Sequence, residues 1–366
     1  MMGKPYRMSD NEKQLITTIG RHPEITQKEL LSRTQYKWVS TVVRKLEYFK
    51  DQDIAWGPYY AVDYGKLCAN PLHILVCIIE SDQRYETMIS FLRIIEPLKW
   101  IYPVLSPHKR LLHVGFVSSD DAQTDSLLRM LKENGVISDY VTRVCSCKWI
   151  LHNPDFFGNS KPSLDKLLES CELPDMSLGR YDTEWSECDI RVLPYLQAGF
   201  RDTKLVEILR EEKRMHAREW SYEQVKYSRK KMIAKGLIEK RYSVSPYPRN
   251  GCAHFVLFLK TEDISSTHTI MFNFGAGERV FKEYTLCGKW GMLACQSHPV
   301  FLTDLMNKLD QIDQIIAKEF YQLRSYPGKY FFKQSIEDKH YNFEKQTLEY
   351  PYKLYREKIE QKIDML

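Results

Sequence analysis

Lys37, Ser40, Thr41, Arg44 and Lys45 fall in one short window of "TQYKWVSTVVRKLEYFK" (34–50), and on a helix they share the face opposite Val39, Val42, Val43 and Leu46. Cationic groups interleaved with hydroxyls are the side chains that hold phosphates and read guanine edges. A second window, 214–241, offers Tyr222, Lys226, Arg229 and Lys230, with Lys231, Lys240 and Arg241 close by. The two windows carry balances of +3 and +6 in a chain whose net charge is +5, leaving about −4 for the rest. Charge concentrated this way implies polyanion contact at two defined places.

Other chemistry-bearing residues are less ordered. Cys145, Cys147 and His152, and again Cys287, Cys295 and His298, have metal-ligand types without Cys-x-x-Cys spacing, and read as strand-edge thiols. "FGAGERV" (274–280) lacks the Gly-Lys-Ser/Thr ending of a phosphate loop. With no nucleophile elbow, metal motif or cofactor loop, the sequence predicts no enzyme, no metal and no cofactor.

The elements that would position the two basic windows repeat. Ser9 and Glu12 form a capping box before Leu15, Ile16 and Ile19; Thr26 starts a second helix; and 34–50 is a third, with Trp38 read as core. "DIAWGPYYAVDYGKL" reads as a β-wing and a connecting strand. From "LHILVCIIE" (72–80) to "VISDYVTRVCSCKW" the order is β-α-β-β-α-β, that of a ferredoxin-like sandwich. Residues 153–185 read as a linker. Then the series restarts. Val192, Leu193 and Leu196 match Leu15, Ile16 and Ile19 at an offset of 177, and Val225 and Met232 match Val39 and Leu46 at 186. The strand "AHFVLFLKTED" matches "LHILVCIIE" at 181, which makes His73 and His254 equivalent. An offset held over several elements marks a tandem duplication.

The predicted fold is therefore α+β: two winged helix-turn-helix domains (1–66 and 186–250) alternating with two ferredoxin-like domains (67–152 and 251–335), with the linker 153–185 and a tail 336–366. At 366 residues, 43% hydrophobic and 28% charged, the chain is ordinary globular protein. Its apolar runs are too short to span a bilayer, its start lacks a signal-peptide core, and its nine cysteines have no regular pairing pattern. These features predict a cytoplasmic protein with free thiols.

This arrangement resembles the leucine-responsive regulator (Lrp/AsnC) family, with the whole unit present twice over roughly 9–150 and 186–335. The family's third-helix pattern is met in part by Val39, Val42-Val43 and Leu46-Glu47, with Lys50 where Gly is expected, and by Val225, Ser228-Arg229, Met232-Ile233 and Gly236. The resemblance implies a transcription regulator that binds double-stranded DNA, associates with itself as an internal pseudo-dimer or homodimer, and responds to a small-molecule effector at the ferredoxin-like domains. Candidate DNA contacts are Lys37, Ser40, Thr41, Arg44, Lys45, Tyr222, Lys226, Arg229 and Lys230. The alternatives are an interaction module without DNA binding, or an enzyme similar to the siroheme decarboxylases. The latter resemble this family and bind tetrapyrrole through His and basic residues between sheets, for which His73, His108, His113 and His254 are the candidates.

Overall fold

The computed structural model describes residues 8–198, 204–216, 219–248, 251–324, 330, 332–334 and 338–365. In the first head, α1 (Asp10–Arg21) opens on the Ser9–Glu12 capping box and α2 (Gln27–Ser32) on Thr26–Glu29. Helix α3 (Val39–Asp51) buries Val42 and Phe49 against Leu15, Ile16 and Ile19. Trp38 does not enter this core: it stands at the N-cap of α3, 70% exposed, because the helix begins one residue after it.

The second head repeats the arrangement in α6 (Glu187–Ala198), α7 (Leu205–His216) and α8 (Tyr222–Ala234). A matched ion pair fixes the correspondence. Lys45 Nζ reaches the buried Glu12 at 2.6 Å, and Lys231 Nζ reaches the buried Asp189 at 2.7 Å. Glu12 and Asp189 differ by 177 and Lys45 and Lys231 by 186, the offsets seen in the sequence. Each acid also accepts the backbone N–H of its helix-opening Ser9 or Ser186.

Neither head carries a hairpin wing among the described residues. Instead β1 (Ala55–Val62) pairs antiparallel with β7 (Ile238–Val244), Tyr60 opposite Lys240, forming one ribbon that joins the heads. A lone strand leaves its backbone groups unpaired, and the second copy supplies the partner.

The first sheet comes from β2 (His73–Ser81), β3 (Leu98–Val104), β4 (Arg110–Ser118) and β5 (Asp139–Cys145), with α4 (Tyr85–Leu92) and α5 (Asp121–Glu133) on one face. The second comes from β8 (Ala253–Thr261), β9 (Phe281–Cys287), β10 (Trp290–Ser297) and β11 (Ile315–Gln322), with α9 (Ile264–Asn273) and α10 (Leu302–Asp310). Both are ferredoxin-like, and each gains a fifth strand from the other half. The short β6 (Ile150–His152), which follows β5, pairs with β9; β12 (Phe332–Lys333), which follows β11, pairs with β3. Strand orders are thus β12-β3-β4-β2-β5 and β6-β9-β10-β8-β11.

The segments beyond these strands also cross over. Leu164, Leu167 and Met176, in the expected linker, are core residues of the second sandwich. The C-terminal α11 (Tyr352–Ile363) packs on the first, its Tyr352 hydroxyl accepting the Ser119 and Asp120 backbone N–H groups at 3.2 Å. This reciprocal exchange explains why the linker is ordered.

Two expectations are corrected here. Leu75, Cys77 and Ile79 turn toward their helices as Phe255, Leu257 and Leu259 do, so β2 and β8 align at an offset of 180, not 181. One residue of slip inverts the faces. His73 and His254 are therefore not equivalent; His73 lies on the helix side, its Nδ1 2.7 Å from Asp121. Nor are all nine cysteines free: Cys145, ending β5, is joined by a disulfide to Cys287, ending β9.

Candidate active site between the two sheets

A cavity of about 550 Å³ lies between the inner faces of the two sheets and under the β1–β7 ribbon. That volume is within the range of small-molecule sites, ~300–1,000 Å³. Strand alternation on β3 puts Trp100 and Tyr102 on its inner face. The β3–β4 register sets Tyr102 opposite His113 and Trp100 opposite Gly115. A Cβ at Gly115 would stand 2.3–2.5 Å from three atoms of the Trp100 indole, so glycine is what lets that ring lie across β4. The Trp100 ring centroid is 5.8 Å from His113 and 6.1 Å from Trp149, which meets it edge-on.

This wall holds polar groups with no partner among the described residues. Both ring nitrogens of His113, and Nε1 of Trp100 and of Trp149, are buried without a hydrogen bond to any described residue. Leaving such a group unpaired costs roughly 1–3 kcal/mol each, so a concentration of them beside a cavity marks a site built for a hydrogen-bonding ligand. Burial depresses the His113 pKa to about 3, so the imidazole is neutral at pH 7, presenting one donor and one acceptor.

Cations complete the lining. Lys99 sits where the β3–β4 register shifts between Leu98 and Trp100; this irregularity brings an otherwise outward residue to the cavity, its Nζ donating to the Tyr64 hydroxyl. Lys333 arrives on the exchanged strand β12. It is exposed, facing the cavity, and its pKa is depressed, first by desolvation and further by Lys99, against the pull of Glu283. Lys148 pairs with Asp63 at 3.3 Å, and Arg241 with Glu239 at 2.8 Å. With two cations already paired, Lys99 and Lys333 face the single further carboxylate, Glu283. The second sheet contributes Met292 and Ala294, an apolar wall. The whole can clasp a flat aromatic molecule and hold its carboxylates.

The candidate DNA contacts lie elsewhere, none of them lining this cavity. Lys37, Ser40 and Arg44 are exposed on or just before α3, and Thr41 is half-buried. Lys45 is held by Glu12 instead of facing outward. On α8, Tyr222 and Lys230 are exposed, Arg229 is half-buried, and Lys226 pairs with Glu223 at 3.1 Å. Of the four histidines singled out, His113 lines the cavity, whereas His108 is exposed in a turn. Cys145 is consumed by its disulfide, and His152 lies against Phe272, Tyr284 and Lys282, on the helix side of the second sheet. No group of three or more potential metal ligands occurs among the described residues, and none of the described helices is long and apolar enough to cross a membrane. Sequence reasoning missed Trp100, Tyr102, Trp149, Lys99 and Lys333, and set Arg241 beside the second basic window, whereas it lines the cavity. The alternation in "KWIYPVL" and "RLLHVGFV" could have paired the aromatics with His113; nothing local signals Lys99 or Lys333.

No family model and no curated protein matches the chain. Among solved structures, the siroheme decarboxylase NirDL aligns over 97% of this chain and 99% of its own, at 11% identity and a TM-score of 0.49. A second NirDL structure, in complex with an iron-uroporphyrin III analogue, aligns over 97% of this chain and 100% of its own, at 12% identity and the same TM-score. The leucine response regulatory protein LrpA of Mycobacterium tuberculosis covers 37% of this chain and 91% of its own, at 16% identity and a TM-score of 0.29. AsnC of E. coli covers 41% and 95%, at 14% and 0.28. The expectation of a non-enzyme is corrected by the first of these: a chain that aligns with this one end to end is an enzyme.

Proposed function

We propose that this protein is an enzyme whose substrate occupies the inter-sheet cavity, and that the substrate is a tetrapyrrole carrying carboxylate side chains, from which carboxyl groups are removed as carbon dioxide. One observation carries the reading: His113, Trp100 and Trp149 bring four buried, unpaired ring nitrogens to one wall of a cavity that also holds Lys99 and Lys333. Aromatic faces suit a flat macrocycle, and the two lysines suit its carboxylates. Enclosure strengthens each of these contacts by excluding water. The two units act as one tandem body, since the ribbon comes from both heads and Lys333 is lent by the second half to a wall of the first. The test is turnover. Purified protein incubated anaerobically with siroheme should yield products lighter by one or more carbon dioxide units in the mass spectrum, and His113→Met should yield none. Unchanged siroheme with wild-type protein would rule the reaction out.

A second reading, a regulator that binds double-stranded DNA and takes a small-molecule effector in the same cavity, is favoured by the exposed Lys37, Ser40 and Arg44 on one head and Tyr222 and Lys230 on the other. Its test is the salt dependence of binding to duplex DNA. Binding should weaken with a slope of about −0.9 per phosphate contacted, flattening in Arg44→Ala. Absence of binding at low salt would end it.

A further inference from the structure

Cys145 and Cys287 lie at the ends of β5 and β9, strands of opposite sheets, and their disulfide is the covalent tie between the halves beside the cavity. Cys145 is one of the cavity's lining residues, and Cys147, a free half-buried thiol, lines it two residues on. The other seven cysteines form no disulfide, and Cys147, Cys171 and Cys252 among them are only half-buried. One disulfide among nine cysteines is not a disulfide framework, and in a compartment that keeps thiols reduced such an isolated bond is typical of redox sensing. The noncovalent contacts at the same junction combine apolar packing of Ile74, Val76 and Ile78 against Val256, Phe258 and Met292 with one ion pair. Arg143 on β5 pairs with Glu319 on β11 at 2.6 Å and lies over the rings of Phe258 and Trp290. The β1–β7 ribbon and the β12–β3 pairing hold the halves together elsewhere, and β6 holds β9 a few residues from Cys287, so breaking this bond loosens one corner of the cavity without separating the halves.

We infer that the Cys145–Cys287 disulfide is a redox latch on the cavity: oxidised, it clamps the sheets and holds the ligand wall in place, and reduced, it lets that wall open. The reductant is a dithiol. One of its thiolates attacks a protein sulfur, breaking the S–S bond and forming a mixed disulfide. Its second thiol then displaces the protein sulfur and closes the reductant's own disulfide. Two electrons and two protons pass to the protein, leaving Cys145 and Cys287 as thiols. Access is through the cavity at Cys145, which lines it, while Cys287 is buried. The latch requires the cavity to be a ligand site but not that the ligand be a tetrapyrrole.

The test compares the full-length protein, oxidised and after treatment with dithiothreitol under native conditions. Thiol titration should show two more thiols per chain, and backbone hydrogen exchange should rise in β5, β6 and β9 while the α1–α3 head is unchanged. Affinity for an iron uroporphyrin, followed by absorption, should fall by about tenfold. Cys145→Ser/Cys287→Ser should behave as the reduced form without reductant. A disulfide that yields only when the protein unfolds, or reduction that leaves exchange or affinity unchanged, would overturn the latch. A porphyrin that binds neither form counts against the proposed substrate, and exchange in β5, β6 and β9 then decides the latch alone.

Discussion

His113 makes a quantitative prediction. It is 2% exposed, neither ring nitrogen is bonded to any described residue, and burial lowers its pKa from 6.5 to about 3. The folded protein therefore holds this side chain neutral where the unfolded chain begins to protonate it. Its contribution to stability is fully present above pH 6.5 and is lost as the pH falls toward 3, at up to about 1.4 kcal/mol per pH unit. Between pH 7 and pH 5 the loss comes to roughly 2 kcal/mol. His152, lowered to about 4 by burial and then by Lys282, adds a slope of the same sign, so the comparison must isolate His113. His113→Met removes the titrating group and two unpaired nitrogens together. The variant should be no less stable than wild type at pH 7, and its stability should fall by about 2 kcal/mol less on going to pH 5. Urea unfolding at the two pH values measures this. The same difference between pH values in both proteins would refute the assignment of a neutral, desolvated imidazole. A carboxylate bound beside His113 favours its charged form, so ligand binding should take up a proton and tighten as the pH falls.

The remaining predictions concern packing and charge. Lys45→Ala and Lys231→Ala each take the cation from a buried carboxylate, Glu12 or Asp189, that keeps its serine hydrogen bonds, and should cost roughly 1–3 kcal/mol in denaturant unfolding, whereas Arg44→Ala on the exposed face should stay within about 0.5 kcal/mol of wild type. Gly115→Ala drives a methyl into the Trp100 indole and should cost roughly 1–3 kcal/mol while weakening cavity binding, both readable in one ligand-stabilised melt. Removing the Cys145–Cys287 bridge frees a loop spanning a sequence separation of 142 and should lower stability by up to roughly 5 kcal/mol on the chain-entropy model, seen as a reductant-dependent melting temperature.

Much of the fold was legible in the sequence because its signals are local. The Ser9–Glu12 box and Thr26 each open the helix they announce, and Ser221–Gln224 opens α8 in the same way; Gly135 and Gly236, at φ of 68° and 69°, lie just beyond the ends of α5 and α8. The duplication was legible for the same reason, and the Lys45–Glu12 and Lys231–Asp189 pairs carry its offsets into space. What the sequence could not convey is pairing between halves. Neither β6 nor β12 is longer than three residues, so neither has a period to read, and each gains meaning only from the strand it joins in the other sheet. The cavity inherits that blindness: Lys333 reaches it through the exchange, Lys99 through a β-bulge, and Arg241 through a ribbon shared by both heads. The one-residue error at His73 and His254 has a similar origin, since matching letters carry no information about which face a strand buries.

The measurement that bears most directly on the central claim is quenching of tryptophan fluorescence by an iron uroporphyrin, titrated against wild-type protein and Ala294→Phe. Trp100 and Trp149 stand at the proposed binding wall, and Ala294 lies on the opposite, apolar one. Saturable quenching at one porphyrin per chain, lost when the added phenyl ring fills the cavity, is the result the account predicts. Quenching that is absent in wild type, or that survives Ala294→Phe undiminished, would mean that the space between the two sheets is not where such a molecule binds.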